Sequence, residues 1–272
     1  MPELPEVETT VRGLEAVLKG RQIERIETRR DDLRRPFPAD LGQRMTGARV
    51  VSLGRRAKYG LIDTDRGDTL IFHLGMSGRW RIDPDAIGTH DHLVIDIDDG
   101  RRLSLNDPRR FGSVDLVATD DLTEWPAFKA LGPEPLGGSI TGAWLKTKFN
   151  DRVAAVKLLL LDQRIVAGLG NIYVCEALFR ARIDPRKAGG RIGRGKLDAL
   201  ADAIPAVLED AIRAGGSSLR DFAAPDGELG YFSKQFDVYG REGEPCRGGC
   251  EGKVRRIVQG GRSTFYCPSC QR

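Results

Sequence analysis

The sequence comprises 272 residues, of which 40% are apolar and 30% are charged, and its formal net charge is +4. This length permits a sizeable core and two or three domains. No apolar run approaches the ~20 residues of a membrane helix, and the N-terminus lacks the order of a signal peptide, so we expect a cytoplasmic protein with no membrane partner.

The positive charge is concentrated at the C-terminal end. Residues 231–272 contain eight Lys or Arg against four Asp or Glu, whereas the preceding 230 residues balance at 35 of each sign. A basic segment on a neutral body is typical of proteins that bind a polyanion. A solvated tail explains the same charge equally well.

The first predicted element is an amphipathic helix over residues 5–19. Pro5 suits a first helical turn, and Gly20 suits the end of a helix. The apolar residues at helical spacing are Val7, Val11, Leu14, Val17 and Leu18.

From about residue 22 to 118 the apolar pattern has a period of two, which predicts strands. Leu93, Ile95 and Ile97 follow this alternation, and the Asp99-Gly100 pair after them marks a hairpin turn. Short strands with Gly-rich turns indicate a β-sandwich or a barrel. The Pro- and Gly-rich stretch 131–138 is interpreted as an interdomain linker.

Helical patterns follow the linker. The first covers 144–163, with apolar spacing at Val153, Val156, Leu159 and Leu160, and the second covers 196–216. Between them, the glycines of 165–179 break one helix and allow another to begin. The segment 214–232 has the composition of a mobile loop.

Four of the five cysteines lie in the last 27 residues, as the close pairs Cys246/Cys250 and Cys267/Cys270, with sixteen residues between the pairs. This spacing predicts a four-cysteine site for one Zn²⁺. The zinc is expected to be structural, because four thiolates leave no open coordination position for a reactive water. Disulfides and free thiols are the alternatives, and Cys175 is interpreted as a small core residue.

Candidate chemistry lies at the N-terminus. The sequence lacks an HExxH or GxSxG motif and a nucleotide-binding glycine loop, and it has three histidines. Removal of Met1 would give Pro2 a free secondary amine, and an α-amino group with a pKa of about 7.7–8.0 is partly neutral near pH 7. Such an amine attacks an electrophilic sugar carbon to give a Schiff-base intermediate, and Glu3 could move protons. The plainer alternative is that Pro2 and Pro5 only begin a helix.

Seven segments in chain order resemble formamidopyrimidine-DNA glycosylases: PELPEVET, GRRAKYG, HLGMSGRW, NDPRRFG, LGPEPL, AGLGNIYVCEALF and GRSTFYCPSCQ. They run from residue 2 to residue 271, so the resemblance covers essentially the whole chain. It implies an α+β multidomain fold. An N-terminal helix plus antiparallel β-sandwich occupies 1–135, a helical helix-two-turn-helix domain with a lesion-capping loop occupies 136–235, and a four-cysteine zinc finger occupies 236–272.

The resemblance also implies the activity. A monomer, associated with the nucleoid through its DNA binding, would remove oxidised purines such as 8-oxoguanine and formamidopyrimidines from duplex DNA. It would then cleave the abasic site by β,δ-elimination.

Catalytic roles follow by resemblance for five residues. Pro2 would be the nucleophile at C1′ of the damaged nucleotide, with Glu3 as proton donor or acceptor and Glu6 in support. Lys58 would donate a proton during β-elimination and contact a phosphate. Arg262 would hold a phosphate and act in δ-elimination.

The hole left by a flipped base must also be filled. By resemblance, Met76, Arg109 and Phe111 fill it, and Arg109 bonds the orphaned cytosine. From the residues alone, Met76 and Phe111 would be interpreted as core residues. Further matches to DNA-contacting positions are His90, Arg152, Lys157 and Asn171. The loop over 214–232 would close on the flipped base through backbone amides.

One feature departs from the family pattern. The first cysteine pair is often Cys-x2-Cys, whereas Cys246 and Cys250 are separated by three residues. Two of those three residues are glycines that can widen the turn, so we expect metal binding to survive.

Two alternatives remain at this point. An endonuclease VIII-like glycosylase shares the architecture but prefers oxidised pyrimidines, and the LPEVET and NDPRRFG runs favour the purine enzyme. A non-catalytic DNA-binding protein is the other alternative, and the joint presence of Pro2, Glu3 and Lys58 argues against it.

Overall fold

A computed structural model describes residues 2–217, 225 and 232–272. These residues form two compact units, each with a buried apolar cluster of its own. The first unit consists of residues 2–129 with the described part of 214–231, and the second consists of 130–213 with 232–272.

The first unit begins with helix α1, Leu4–Leu18, within one residue of the predicted bounds at each end. Glu3 is the N-cap and forms a capping box with Glu6, and Gly20 ends the segment with a φ of 79°. Every apolar residue of the predicted helical face is buried. This face explains why α1 packs on the sheets rather than standing in solvent.

Two four-stranded antiparallel sheets follow α1. Their strands are β1 (Ile23–Thr28), β2 (Val50–Arg56), β3 (Tyr59–Thr64), β4 (Asp68–His73), β5 (Arg79–Ile82), β6 (Asp91–Ile97), β7 (Arg102–Asn106) and β8 (Ser113–Ala118). One sheet has the order β1-β6-β7-β5 and the other β2-β3-β4-β8. The short helices of this unit are α2 (Leu41–Met45) and α3 (Pro126–Lys129).

The two sheets and α1 enclose one core, which confirms the β-sandwich. Phe72 of β4 meets Trp80 of β5 edge to face, with ring centroids 5.5 Å apart, so aromatic packing joins the sheets. The β6–β7 hairpin turns at Asp99-Gly100 as predicted, and Gly100 supplies the positive φ, 86°.

The second unit contains four helices, a two-stranded antiparallel hairpin and the clustered cysteines. These elements are α4 (Gly142–Phe149), α5 (Val156–Leu160), α6 (Asn171–Arg180), α7 (Arg194–Arg213), β9 (Arg255–Gln259) and β10 (Arg262–Tyr266). Thr141 caps α4 by accepting a hydrogen bond from the Trp144 amide at 3.1 Å.

The continuous helical pattern predicted over 144–163 is wrong in its middle. Helix α4 ends at Phe149 and α5 begins at Val156, and between them Val153 is 91% exposed. Asp151 adopts a positive φ of 55°, which a helix cannot accommodate.

Most of the loop predicted over 214–232 lies outside the described residues. Among the helices that the structure describes, none has both the length and the hydropathy needed to cross a bilayer.

Candidate functional site

The start of the chain is buried within the first unit. Pro2 is buried two residues before α1, and Glu3 and Glu6 are each only 1% exposed. Glu6 Oε2 accepts the Glu3 amide at 2.8 Å, while its Oε1 accepts both the amide and the hydroxyl of Ser217 at 2.8 Å. One carboxylate therefore ties the chain start to the first residues after α7.

Lys58 lies on the tight turn between β2 and β3. Arg56 pairs with Tyr59, so Ala57 and Lys58 form a two-residue connection, and Ala57 has the unusual φ of 52°. Arg55 donates to the Ala57 carbonyl at 2.9 Å and to Glu8 of α1 at 3.0 Å. A strained turn that is anchored to a neighbouring helix holds Lys58 in place, as at many functional sites.

Beside this turn lies a pocket of about 280 Å³ that the sequence did not predict. Its lining is cationic and polar: Arg34, Arg35, Tyr59, His73 and Ser113. His73, the first residue of the HLGMSG segment, is the sequence signal that could have indicated this pocket.

Burial, together with the charges of Lys58, Arg34 and Arg35, lowers the pKa of His73 to about 4, so its ring is neutral at pH 7. His73 Nδ1 accepts the Gly75 amide at 3.0 Å, which leaves the proton on Nε2. Hydrogen-bond donors on several sides of this pocket suit it to an anion.

The loops 73–78 and 107–112, which carry the predicted void-filling residues, are bonded to each other. Asp107 accepts the Ser77 hydroxyl at 2.6 Å and the Gly112 amide at 2.8 Å. The Arg109 amide donates to the same Ser77 hydroxyl at 3.2 Å. A Cβ on Gly75 would lie 2.3 Å from the Phe111 carbonyl carbon, so only glycine permits this approach.

The structure brings the void-filling candidates together on these loops. Phe111 is 44% exposed, and the Arg109 guanidinium lies over its ring at 5.0 Å from the centroid. Met76 is half-buried. Phe111 is therefore not the core residue that its apolar character alone would suggest.

His90 is exposed at the end of the loop 83–90. The next residue, Asp91, is fully buried and accepts hydrogen bonds from Gly88, Ser104 and Asn106 at 2.6–3.0 Å. Burial alone would raise the pKa of Asp91, but these hydrogen bonds and the charge of a nearby arginine lower it. The ionised Asp91 carboxylate thus anchors the loop that presents His90.

The predicted DNA-contacting residues of the second unit fall in different environments. Arg152 and Arg262 are exposed. Asn171, the first residue of α6, donates to the Ser263 carbonyl at 2.8 Å, and its Oδ1 is buried without a hydrogen-bond partner.

Lys157, also a predicted DNA contact, is not exposed. It is fully buried, and its ammonium donates to the Thr264 hydroxyl at 2.6 Å and the Ser263 carbonyl at 3.2 Å. The physical reason is the helix break at 150–155, because α5 restarts with Lys157 directed at the β9–β10 hairpin.

The four C-terminal cysteines form a cluster suited to one metal ion. Their sulfur atoms all lie within 4.8 Å of one another, with 3.7 Å between Cys246 and Cys270 and 3.6 Å between Cys250 and Cys267. A tetrahedral site with metal–sulfur bonds of ~2.3 Å has sulfur–sulfur edges of about 3.8 Å. Gly249, at a φ of 79°, widens the turn of the longer first pair as expected.

The local environment also suits metal thiolates. The amides of Gly248 and Gly252 donate to the sulfurs of Cys246 and Cys250 at 3.2 and 3.3 Å. A hydrogen bond from Cys270, followed by the Gly252 amide, lowers the pKa of Cys250 to about 7, whereas burial raises the pKa of Cys270 to about 12. A metal ion that binds all four sulfurs must therefore displace protons.

Comparison with protein families accounts for this arrangement. The Formamidopyrimidine-DNA glycosylase N-terminal domain model matches residues 1–114, the H2TH domain model of the same family matches 131–223, and a zinc finger found in FPG and IleRS matches 243–272. The chain belongs to the formamidopyrimidine-DNA glycosylase family.

Individual relatives agree with this family membership. Formamidopyrimidine-DNA glycosylases of Novosphingobium aromaticivorans and Rhizorhabdus wittichii are each 68% identical to this chain over the full length of both chains. Among solved structures, a Lactococcus lactis FPG mutant in complex with a Fapy-dG-containing DNA matches with a TM-score of 0.92 at 35% identity, covering both chains completely. The Thermus thermophilus MutM (FPG) protein matches with a TM-score of 0.89 at 38% identity, over 99% of this chain and 98% of that one.

Proposed function

We propose that this formamidopyrimidine-DNA glycosylase removes oxidised purines from duplex DNA through Pro2 and cleaves the resulting abasic site by β,δ-elimination. It acts in base-excision repair, and abasic-site lyase activity is a general feature of the family. The observation that carries the role of Pro2 is its burial beside the buried carboxylates of Glu3 and Glu6. Complexes of the Lactococcus lactis relative contain Fapy-dG or abasic-site DNA, which supports the same substrates here.

The proposed chemistry begins at the Pro2 amine. It attacks C1′ of the damaged nucleotide, the bond between C1′ and the base breaks, and Glu3 moves the proton that the departing base and the opening sugar need. The iminium then acidifies the C2′ proton, so loss of that proton expels the 3′ phosphate, with Lys58 donating a proton. A second elimination expels the 5′ phosphate, which Arg262 holds, and water releases the sugar fragment and restores the amine.

Extrusion of the lesion is assigned to the joined loops 73–78 and 107–112. Met76 and Phe111 fill the space that the flipped base leaves, and Arg109 donates to the acceptors of the orphaned cytosine. His90, Arg152 and Asn171 are proposed to contact phosphates, which position the duplex without reading its sequence.

The cofactor is proposed to be one structural Zn²⁺ held by Cys246, Cys250, Cys267 and Cys270, which supplies folding energy to the finger. We further infer a monomer in the cytoplasm, associated with the nucleoid through its DNA. We also propose three functional segments: the β-sandwich domain over 1–135, the helix-two-turn-helix domain over 136–235 and the zinc finger over 236–272.

Borohydride trapping tests the mechanism. Reduction during reaction with an 8-oxoguanine duplex should convert the iminium into a stable covalent adduct whose attachment point, by mass spectrometry, is Pro2. Pro2→Gly should retain lesion binding but lose most base excision, because the ring constraint and the secondary amine are gone. Glu3→Gln should lose base excision while reacting more normally at a pre-formed abasic site.

Glu15→Gln provides the matched control, since Glu15 is a more exposed carboxylate of the same helix, paired with Lys19. Glu15→Gln should form as much borohydride-trapped adduct as the unmodified chain. Lesion cleavage without any trapped adduct would refute the proposal.

A further inference from the structure

A buried cation lies between α5 and the β9–β10 hairpin. Lys157 and its partner Thr264 are both 0% exposed, and the ammonium is 2.6 Å from the Thr264 hydroxyl. It is also 3.2 Å from the Ser263 carbonyl. Removing an ammonium from water is costly unless its hydrogens are bonded, so the hydrogen bonds to Thr264 and Ser263 help to stabilise the buried ammonium.

The acceptors lie at a particular place on the hairpin. Ser263 and Thr264 directly follow Arg262, the exposed cation at the start of β10. The backbone of these two residues fixes the position and direction from which the Arg262 side chain leaves the strand. The Lys157 contacts therefore lie one and two residues from Arg262.

Two other helix or loop contacts restrain the same hairpin. The side-chain Nδ2 of Asn171 donates to the Ser263 carbonyl at 2.8 Å, so this carbonyl receives hydrogen bonds from both α5 and α6. On the opposite strand, Gln259 donates to the Pro185 carbonyl at 3.2 Å. The hairpin is thus held to the helical part of its unit by polar contacts at both strands.

We propose that Lys157 is a positioning residue, which fixes Ser263 and Thr264 and thereby places Arg262, and that it does not contact DNA. This inference rests on the proposed function, in which Arg262 holds the phosphate expelled by δ-elimination. Misplacing such a group by about 1 Å can cost up to ~100-fold in rate.

The test uses two variants that break the same contact from opposite sides. Lys157→Met removes the ammonium and keeps a chain of similar shape, whereas Thr264→Val removes the hydroxyl acceptor and leaves the ammonium in place. Lys129→Met is the control, because it removes one ammonium from an exposed ion pair with Glu124 and so matches the change in net charge.

The readout is the ratio of δ- to β-elimination products from an abasic-site duplex in single-turnover reactions. We expect both contact variants to lower this ratio about tenfold, and the control to stay within about twofold of the unmodified chain. A loss of structure alone would lower both products together. A direct DNA contact by Lys157 would leave Thr264→Val unchanged, and either result would overturn the proposal.

A double-mutant cycle tests the route through Arg262. Adding Lys157→Met to Arg262→Ala should change the ratio by less than about twofold, because the residue being positioned is already absent. Full additivity would overturn the proposal. Metal content and thermal unfolding identify a variant that fails to fold, and if Lys157→Met does so, Thr264→Val decides the question.

Failure of this inference is distinguishable from failure of the proposed function. If the unmodified chain forms the Pro2 adduct but neither contact variant alters the product ratio, only the positioning role is lost. If no adduct forms at all, the proposed function itself fails.

Discussion

At the scale of single residues, His73 combines burial with neighbouring positive charge. Its pKa of about 4 lies below the ordinary value of about 6.5, so between these values the unfolded chain binds a proton that the folded chain excludes. Stability that is fully present above pH 6.5 is therefore lost as the pH falls toward 4.

We expect the unmodified chain to lose about 1.5 kcal/mol more unfolding free energy than His73→Gln between pH 6.5 and pH 5. Urea unfolding at both pH values measures this difference. His90→Gln is the control, because it makes the same exchange at an exposed position. An equal loss in His73→Gln and the unmodified chain would contradict the assignment.

Residue identity and position suggested some candidate site residues more directly than others. Pro2 and Glu3 combine a position at the N-terminus with a plausible amine chemistry. The spacing of the four C-terminal cysteines indicates a tetrahedral metal site. The burial of Lys157 could not be predicted, since a lysine is normally exposed and its acceptor, Thr264, lies 107 positions further along the chain. The exposure of Phe111 likewise depends on contacts between two loops, which apolarity alone does not reveal.

At the scale of elements, Glu176 joins α6 to the segment leading into the finger. Its buried carboxylate accepts the amides of Asp237, Val238 and Tyr239 at 2.8–3.0 Å. Burial raises the pKa of Glu176, and these three amides act in the opposite direction. One side chain therefore satisfies three consecutive backbone donors.

Glu176→Gln should destabilise this unit by about 1–3 kcal/mol, because the amide group places a donor against one of the backbone donors. Chemical unfolding measures the loss, and faster transfer of the metal to a chelator should accompany it. Glu209→Gln, at an exposed position of α7, should have little effect. Matching stabilities for the two variants would argue against the anchoring role.

Element prediction was most reliable where pattern and burial agreed, as for α1 and the β6–β7 hairpin. It was wrong over 150–155 because tertiary contacts override helical periodicity there. Val156 donates its amide to the Lys187 carbonyl, Gly190 donates to Arg152, and Ala155 bridges Ala188. Pairing with a distant segment replaces the local helical bonds, and no local pattern reports it.

At the scale of the whole molecule, the excess positive charge lies in 231–272, which includes the hairpin carrying Arg262. DNA affinity should therefore fall steeply with salt, since each phosphate contact releases condensed counterions. The presence of a basic segment was predictable from composition, whereas the packing of the cysteine core on Cys175 and Phe179 of α6 was not.

Arg262→Ala should lower the slope of log affinity against log salt by about one, because a single phosphate contact disappears. Fluorescence anisotropy with an abasic-site analogue duplex across a salt series gives this slope. Arg25→Ala, which removes an exposed arginine already paired with Glu27, should not change it. An unaltered slope in Arg262→Ala would show that Arg262 does not contact a phosphate.

The interlocked loops 73–78 and 107–112 have a consequence for redesign. Gly75 has a φ of 60° and faces the Phe111 backbone, and a Cβ on Gly112 would lie 2.8 Å from the His73 carbonyl oxygen. Neither loop can be lengthened or transplanted alone without losing its fit to the other. Grafts that aim to alter the proposed contact with the orphaned base must exchange the two loops together, or vary only Met76, Arg109 and Phe111 at constant loop length.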